Sequence, residues 1–260
     1  MLEEYAKPIR KAEIDALRQW FPPNARVLEI GGGTGYQASI IASWGCRVIS
    51  IDLPNRPAEE GYYPVIPYDG RRLPFRDRQF DVVFSSNVLD DIAPADLQLF
   101  FKEMRKVADG GVFVHILPSS TWRFWCMLTH YPAMARLAVR YLTGQLAPGA
   151  APAKTNVSRA MVAGSRPPLL RMILSLLIDP PQGAYSSAFA EVYYFSRRRW
   201  RRVFERGGFR IVKTAGNGLF YSGYGLLPEL SLGSRAKLAR FLGNACTIFV
   251  LRASETCSEA

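Results

Sequence analysis

Histidine is nearly absent from this chain, with only His115 and His130 among 260 residues. Cysteine is sparse as well: Cys46, Cys126, Cys246 and Cys257 are scattered, with no C-x-x-C. That spacing argues against a zinc site or a disulfide framework, so no metal is expected and a reducing cytoplasm is the expected compartment. No uncharged apolar run reaches the ~18 residues of a membrane-spanning helix. Met1-Leu2-Glu3-Glu4 is acidic and lacks the apolar core of a secretory signal. Acidic residues are the third shortage, 22 against 33 Lys and Arg, for a formal charge of +11. The excess gathers in the second half: Lys154, Arg159, Arg166, Arg171, then Arg197-Arg198-Arg199-Trp200-Arg201-Arg202, Arg206, Arg210 and Lys213. Such a field attracts phosphates of nucleic acid, anionic lipid or a diphosphate-linked substrate. It equally describes the solvated face of one arginine-rich helix.

Apolar residues are plentiful, at 48%, enough for a single buried core with a subdomain. A first helix is expected over about Ile9 to Trp20, stopped by Pro22-Pro23-Asn24. Strands are expected near 26–30, 47–52, 64–68, 81–85 and 111–117, with an amphipathic helix from Pro94 to Val107. This alternation predicts a parallel sheet covered on both faces, with ligands beyond the carboxyl ends of the strands.

The richest stretch is Val27-Leu28-Glu29-Ile30-Gly31-Gly32-Gly33-Thr34-Gly35, followed by Val48-Ile49-Ser50-Ile51-Asp52. An apolar run enters a glycine-rich turn, a helix follows, and a second run ends on a carboxylate. Such a βαβ unit holds a nucleoside, with the carboxylate accepting from the ribose hydroxyls. The glycines read G-x-G-x-G, and no G-K-[ST] follows, which argues against a phosphate-gripping loop. Asp69-Gly70-Arg71-Arg72-Leu73-Pro74-Phe75 and Phe80-Asp81-Val82-Val83-Phe84-Ser85-Ser86-Asn87-Val88-Leu89 complete the series.

In this order the motifs resemble class I S-adenosylmethionine-dependent methyltransferases, closely over residues 25–118 and loosely over 196–215. The F-D-V-V-x-S-x-x-V-L form is similar to the ubiquinone/menaquinone-type (methyltransferase type 11-like) enzymes. The resemblance implies S-adenosyl-L-methionine as cofactor, with Glu29 near its ammonium, Asp52 on the ribose and Asp69 at the adenine. The full implied set is Glu29, Gly31, Gly33, Gly35, Asp52, Asp69, Gly70 and Asn87. It also implies a Rossmann-like α/β fold: a seven-stranded, mostly parallel sheet flanked by helices.

Residues 119–195 break the alternation. They hold the aromatic stretch from Trp122 to Leu142 around Pro132, then an Ala-, Pro- and Gly-rich loop, then an apolar segment from Pro167 to Ile178. An insertion of this length is expected to form helices and act as a lid. The expected organisation is therefore 1–118 for cofactor binding, 119–195 as a mainly helical insertion, 196–253 as the last helix and two strands, and 254–260 as a disordered tail. Ser196 is expected to cap the arginine-rich helix, Gly207-Gly208 to end it, and 247–251 to form an antiparallel seventh strand. Tyr221, Tyr224 and Leu226-Leu227-Pro228 are placed to close over a substrate.

Candidate catalytic groups are Asp90, Asp91 and His130. Relatives often carry a Glu-His pair where this chain has Asp90-Asp91, so no histidine base stands there. Two adjacent carboxylates can raise one pKa into a usable range; the same pair also reads as a cap for the Pro94 helix. His130 reads as a base carried by the lid or as an interfacial or solvent-facing residue, and His115 as a hydrogen-bonded core residue. Aromatics and arginines beside short apolar helices suit an amphipathic substrate or a membrane interface. The expectation is O-methylation of a sugar, a lipid-linked glycan or another amphipathic small molecule, as in bacterial surface-polysaccharide assembly. The enzyme would be cytoplasmic, with peripheral contact at the inner membrane face. An RNA-directed methyltransferase and a non-catalytic scaffold are the alternatives, nucleic acid being the weaker partner class.

Overall fold

Runs of Val, Ile and Phe build seven strands: β1 (Arg26–Ile30), β2 (Arg47–Asp52), β3 (Val65–Pro67), β4 (Val82–Ser86), β5 (Val112–Pro118), β6 (Phe209–Gly216) and β7 (Cys246–Ala253). In this computed structural model, which describes residues 2–54, 61–143, 179, 181–185, 187–222 and 229–254, they form one sheet. Its order is β3-β2-β1-β4-β5-β7-β6. The first five strands run parallel, and β7 lies antiparallel between β5 and β6. This is the expected Rossmann-like α/β architecture, with its antiparallel last strand.

The helices are α1 (Leu2–Asp15), α2 (Tyr36–Ser43), α3 (Leu97–Val107), α4 (Ser120–Leu142), α5 (Ala188–Tyr194), α6 (Arg197–Arg206) and α7 (Leu232–Leu242). Alternate residues of the central strands feed two cores, because successive side chains leave a strand on opposite faces. On one face Leu28, Val83, Phe113 and Phe249 pack against Phe100, Phe101 and Met104 of α3 and against Trp200 and Phe204 of α6. On the other, Val27, Phe84, Val114 and Val250 pack against Ile14 of α1, Leu17, Phe21, and Ala38 and Ile41 of α2.

Two helices depart from expectation. The first starts at Leu2 rather than near Ile9, runs through Pro8, and gives way to a 3₁₀ turn at Arg18–Trp20. Helix α4 continues through Pro132. The proline removes the hydrogen bond that the Leu128 carbonyl would accept, on an exposed turn where solvent can replace it. Ser196 does cap α6, its hydroxyl accepting the Arg199 N–H at 3.3 Å. Asp96 occupies the N-cap of α3, so neither Asp90 nor Asp91 caps that helix. The apolar 169–178 segment, Tyr224, Leu226-Leu227-Pro228 and residues 255–260 lie outside the described residues.

His115 is the hydrogen-bonded core residue the strand position suggested. It is fully buried, its Nδ1 pairs with Ser85 Oγ at 2.8 Å, and its ring stacks on Phe204. Burial lowers its pKa to about 3, so it stays neutral and takes no part in acid–base work near pH 7.

Phe204 joins four aromatic neighbours (Phe101, Trp200, Phe209 and Phe249) to the His115 ring. Replacing it with alanine is expected to cost about 3–5 kcal/mol in urea unfolding. Phe241→Ala, at a position 86% exposed, should stay within about 0.5 kcal/mol of the parent.

Candidate active site

The site is built where β1 ends. The N–H groups of Gly31 and Gly32 both donate to the Ile51 carbonyl, at 2.8 and 3.1 Å, pinning the glycine turn to β2. Gly31 and Gly35 have φ of 77° and 75°, in the left-handed region. A Cβ on Gly31 would strike the Val88 side chain, and one on Gly35 the backbone of Tyr63. Only glycine gives this turn, and its bare backbone can come close to a ligand.

Glu29 points from β1 beneath the turn and is 2% exposed. Ser50 Oγ donates to its Oε2 at 2.6 Å. Burial raises the Glu29 carboxyl to about 7, the Asp52 charge adds to the rise, and the Ser50 hydroxyl and Ala38 N–H restrain it. Asp52, at the end of β2, accepts from Gly33 N at 2.8 Å and from Leu53 N at 2.7 Å. A carboxylate oxygen can accept more than one hydrogen bond. Asp69 is exposed just beyond β3; it accepts from Arg71 N and Arg72 N, which hold its carboxyl below the usual range. Gly70 follows with φ 75°.

Asn87, after β4, also adopts a left-handed φ of 54° and donates its N–H to Ile116 O. With its carboxamide oxygen toward α1, it accepts from both terminal nitrogens of Arg10 at 2.6 Å. Arg10 also reaches Ser86 Oγ at 3.2 Å and pairs with Glu13 at 3.0 Å. Glu13 is fully buried and collects Asn217 Nδ2 and Tyr221 Oη, each at 2.7 Å. Tyr221 therefore does not close over a substrate. Its hydroxyl is locked onto α1 and Cys246 Sγ, and burial pushes both of those groups well above their ordinary pKa values.

The three candidate catalytic residues fall in different surroundings. Asp90 is buried at the mouth of β4, while its neighbour Asp91 is exposed. His130 is fully buried on α4, its Nδ1 3.6 Å from Asp179 Oδ1. It belongs to an ion cluster in which Arg123 meets Asp179 at 2.7 Å and Glu191 at 2.6 Å. Glu191 Oε1 in turn accepts the N–H groups of Gln182 and Gly183 at 2.7 and 2.6 Å. Burial raises the Glu191 carboxyl, with those N–H groups and Arg123 opposing the shift. The Arg10 and Arg123 networks were not anticipated. Their partners are far apart in sequence, and no local spacing marks them.

The strand order, glycine turn and strand-end carboxylates define the class of S-adenosylmethionine-dependent methyltransferases. A family model described as methyltransferase domain matches residues 2–214, and the chain belongs to that family. An uncharacterized methyltransferase of Mycobacterium leprae is 32% identical over 134 residues, which is 46% of this chain and 49% of that protein. Demethylmenaquinone methyltransferase of Beutenbergia cavernae is 35% identical over 107 residues, 39% of this chain and 43% of that one. The chain thus spans about half the length of the curated relatives it matches. Among solved structures, the 1,6-didemethyltoxoflavin-N1-methyltransferase of Burkholderia thailandensis, with bound 1,6-didemethyltoxoflavin and S-adenosylhomocysteine, shares the fold. Its TM-score is 0.51 at 13% identity, covering 95% of this chain and 78% of that one.

The raised Glu29 carboxyl has a definite thermodynamic sign. The folded protein holds this proton more tightly than the unfolded chain, so the associated stability is fully present below about 4.5 and is lost as pH rises to about 7. Glu29→Gln removes the titration. Its unfolding free energy, measured in urea across this range without cofactor, should gain on the parent up to about pH 7 and then run level with it. A constant difference across the series would disprove the raised pKa.

Proposed function

We propose that this protein transfers a methyl group from S-adenosylmethionine to an oxygen of a sugar, a lipid-linked glycan or another amphipathic acceptor. The observation that carries the reading is the conjunction of the glycine cradle, the buried Glu29 and the strand-end Asp52 with a buried carboxylate, Asp90, at the mouth of β4. The residues present fit the cofactor. Positive φ at Gly31, Gly33 and Gly35 shapes a turn of bare backbone in which a Cβ on Gly31 or Gly35 would strike Val88 or Tyr63, and the Asp52 carboxylate stands against that turn through Gly33 N. In this reading Glu29 faces the ammonium, Asp52 the ribose hydroxyls, and Asp69 with Gly70 the adenine; Asn87 orders the rim. When bound, S-adenosylmethionine supplies an electrophilic methyl group.

The protein's own part is to position the acceptor and manage its proton. Asp90 receives the hydroxyl proton, since it is buried at the strand mouth where Asp91 is exposed. His130 serves to seat Asp179 on α4. The insertion formed by residues 119–195 acts as the lid that excludes water.

The amphipathic character of the acceptor rests on the outer surface. Helix α4 exposes Phe124, Leu128 and Tyr131, at helical spacing, and α5 exposes Phe189 and Tyr193. Arg197, Arg198, Arg201 and Arg202 follow directly on the exposed face of α6. Apolar side chains beside a basic ridge suit peripheral attachment to an anionic membrane face. Among the described residues no helix is long and apolar enough to cross a membrane. The basic ridge also favours a second reading, an RNA acceptor. Against it, Trp200 is fully buried and offers no face to a stacked base.

Isothermal titration with S-adenosylmethionine tests the cofactor assignment. Asp52→Ala should weaken binding at least about tenfold, as expected for lost hydrogen bonds to two hydroxyls; unchanged affinity sinks it. Asp90→Asn tests the base. On an acceptor found by screening lipid-linked sugars and quinone-like phenols, its kcat should fall by about 10²–10⁴-fold with cofactor affinity kept. A kcat near that of the parent removes Asp90 from the mechanism.

A further inference from the structure

Three arginines are buried among the described residues, and they are treated differently: Arg235 donates to the carbonyls of Leu230 and Phe220 at 3.1 and 3.3 Å. Arg123 is met by two carboxylates, Asp179 and Glu191. Arg199, 9% exposed on α6, is met by none: among the described residues no carboxylate lies within 4.0 Å of its guanidinium. Its side-chain hydrogen bond is a single long one, from Nη1 to the Tyr194 carbonyl at 3.5 Å. Aromatic faces stand around it instead, with the Trp200 ring centroid at 4.5 Å, Tyr194 at 5.3 Å and Tyr185 at 5.4 Å. Tyr185 and Tyr194 are themselves stacked, 4.1 Å apart and 8° from parallel. Such a cage offsets part of the cost of burying the cation, yet leaves most of its five donors unused.

A second polar group stands beside it. Tyr185 is 7% exposed, and its buried Oη has no partner at good hydrogen-bond geometry among the described residues; burial raises the phenol, and the Arg199 guanidinium beside it opposes that shift. A buried hydroxyl without a partner carries a desolvation cost that a ligand can relieve. The position of Tyr185 is set by the turn after β4. Ala184 N donates to the Asp90 carbonyl at 3.1 Å, and Gly183 packs so closely on that carbonyl that a Cβ there would stand 2.6 Å from its oxygen. The loop holding Tyr185 is further fixed by Glu191 through the N–H groups of Gln182 and Gly183. The hydroxyl is therefore mounted on a braced loop next to the proposed base, with the Arg199 cation of α6 against its ring.

We propose that Arg199 and Tyr185 form an anion-binding recess beside the turn after β4, which takes a phosphate or carboxylate group. A guanidinium with free donors matches two oxygens of either group, and the phenol supplies one more donor. Assigning that anion to the methyl acceptor rests on the methyltransferase reading; the recess itself does not. The acceptor would then carry its negative charge close to Asp90.

The test is isothermal titration of the full chain with phenyl phosphate, benzoate and the neutral benzyl alcohol. At least one of the two anions should bind saturably, at least about tenfold more tightly than benzyl alcohol, as expected for a charge-assisted contact. Whichever anion binds better identifies the oxyanion class. Arg199→Gln should weaken that anion by about tenfold or more, and Tyr185→Phe by about threefold or more, with S-adenosylmethionine affinity unchanged in Tyr185→Phe. Tyr185→Phe keeps the ring and its stacking, so it decides the matter if Arg199→Gln does not fold. Equal binding of benzyl alcohol, no anion binding by the parent, or full anion affinity in the variants overturns the proposal. Anion binding in a protein that ignores S-adenosylmethionine upholds the recess and removes its link to methyl transfer.

Discussion

The braced wall beside the site depends on one buried guanidinium. Arg123, on the first turns of α4, gathers Asp179, from the second half of the insertion, and Glu191, from α5. Those residues are far apart in sequence, and their shared cation ties the three segments together alongside the Ser120–Val192 hydrogen bond and the His130–Asp179 contact. Removing one member of such a cluster strands the others as unpaired buried charges, at a typical cost of about 3–5 kcal/mol. Replacing the whole cluster with apolar residues is often neutral, so its contribution is to position more than to net stability. Here the position matters, because Glu191 also holds the 182–183 backbone against the Asp90 turn.

The glycine cradle and the Arg123 cluster use burial in opposite ways. In the cluster, burial is matched by opposite charge, and geometry is rigid at neutral pH. Under the cradle, Glu29 is buried with a hydroxyl and an N–H for company and the Asp52 charge nearby, so its carboxyl rises to about 7. In the proposed complex the ammonium of the cofactor would supply the missing positive charge and favour ionisation. A carboxyl poised in this way is a poor structural residue and a good receptor for a cation, since the protein need not hold an unpaired charge before the ligand arrives.

The fold was legible from Gly31 to Leu117 because the information there is local. Apolar strands, a G-x-G-x-G turn and carboxylates at strand ends all read along the chain. The antiparallel β7 and the Ser196 cap were legible for the same reason. What escaped was long-range. Arg123 meets Asp179 across 56 residues, and Glu13 receives Tyr221 across 208. Tyr221 looked like a lid residue because a tyrosine in a loop carries no sign of the buried acid that claims its hydroxyl. Helix boundaries failed where tertiary packing overrode proline: α1 runs through Pro8 and α4 through Pro132, because neighbouring elements bury one face of each.

The arginine-rich helix shows why composition alone could not assign a role to the charge of +11. Helical geometry divides its arginines. Arg197, Arg198, Arg201, Arg202 and Arg206 project into solvent, where charge acts at long range and is screened by salt. Arg199 lies on the same turn as buried Trp200 and is carried inward with it, into a place where charge acts only at contact distance. The first group can concentrate an anionic acceptor or surface near the protein without choosing among anions. Choice requires fixed donors in a low-dielectric setting, and only the inward arginine has one. Attraction and selection are therefore separate tasks on one ten-residue helix, divided by which side of Trp200 each arginine occupies.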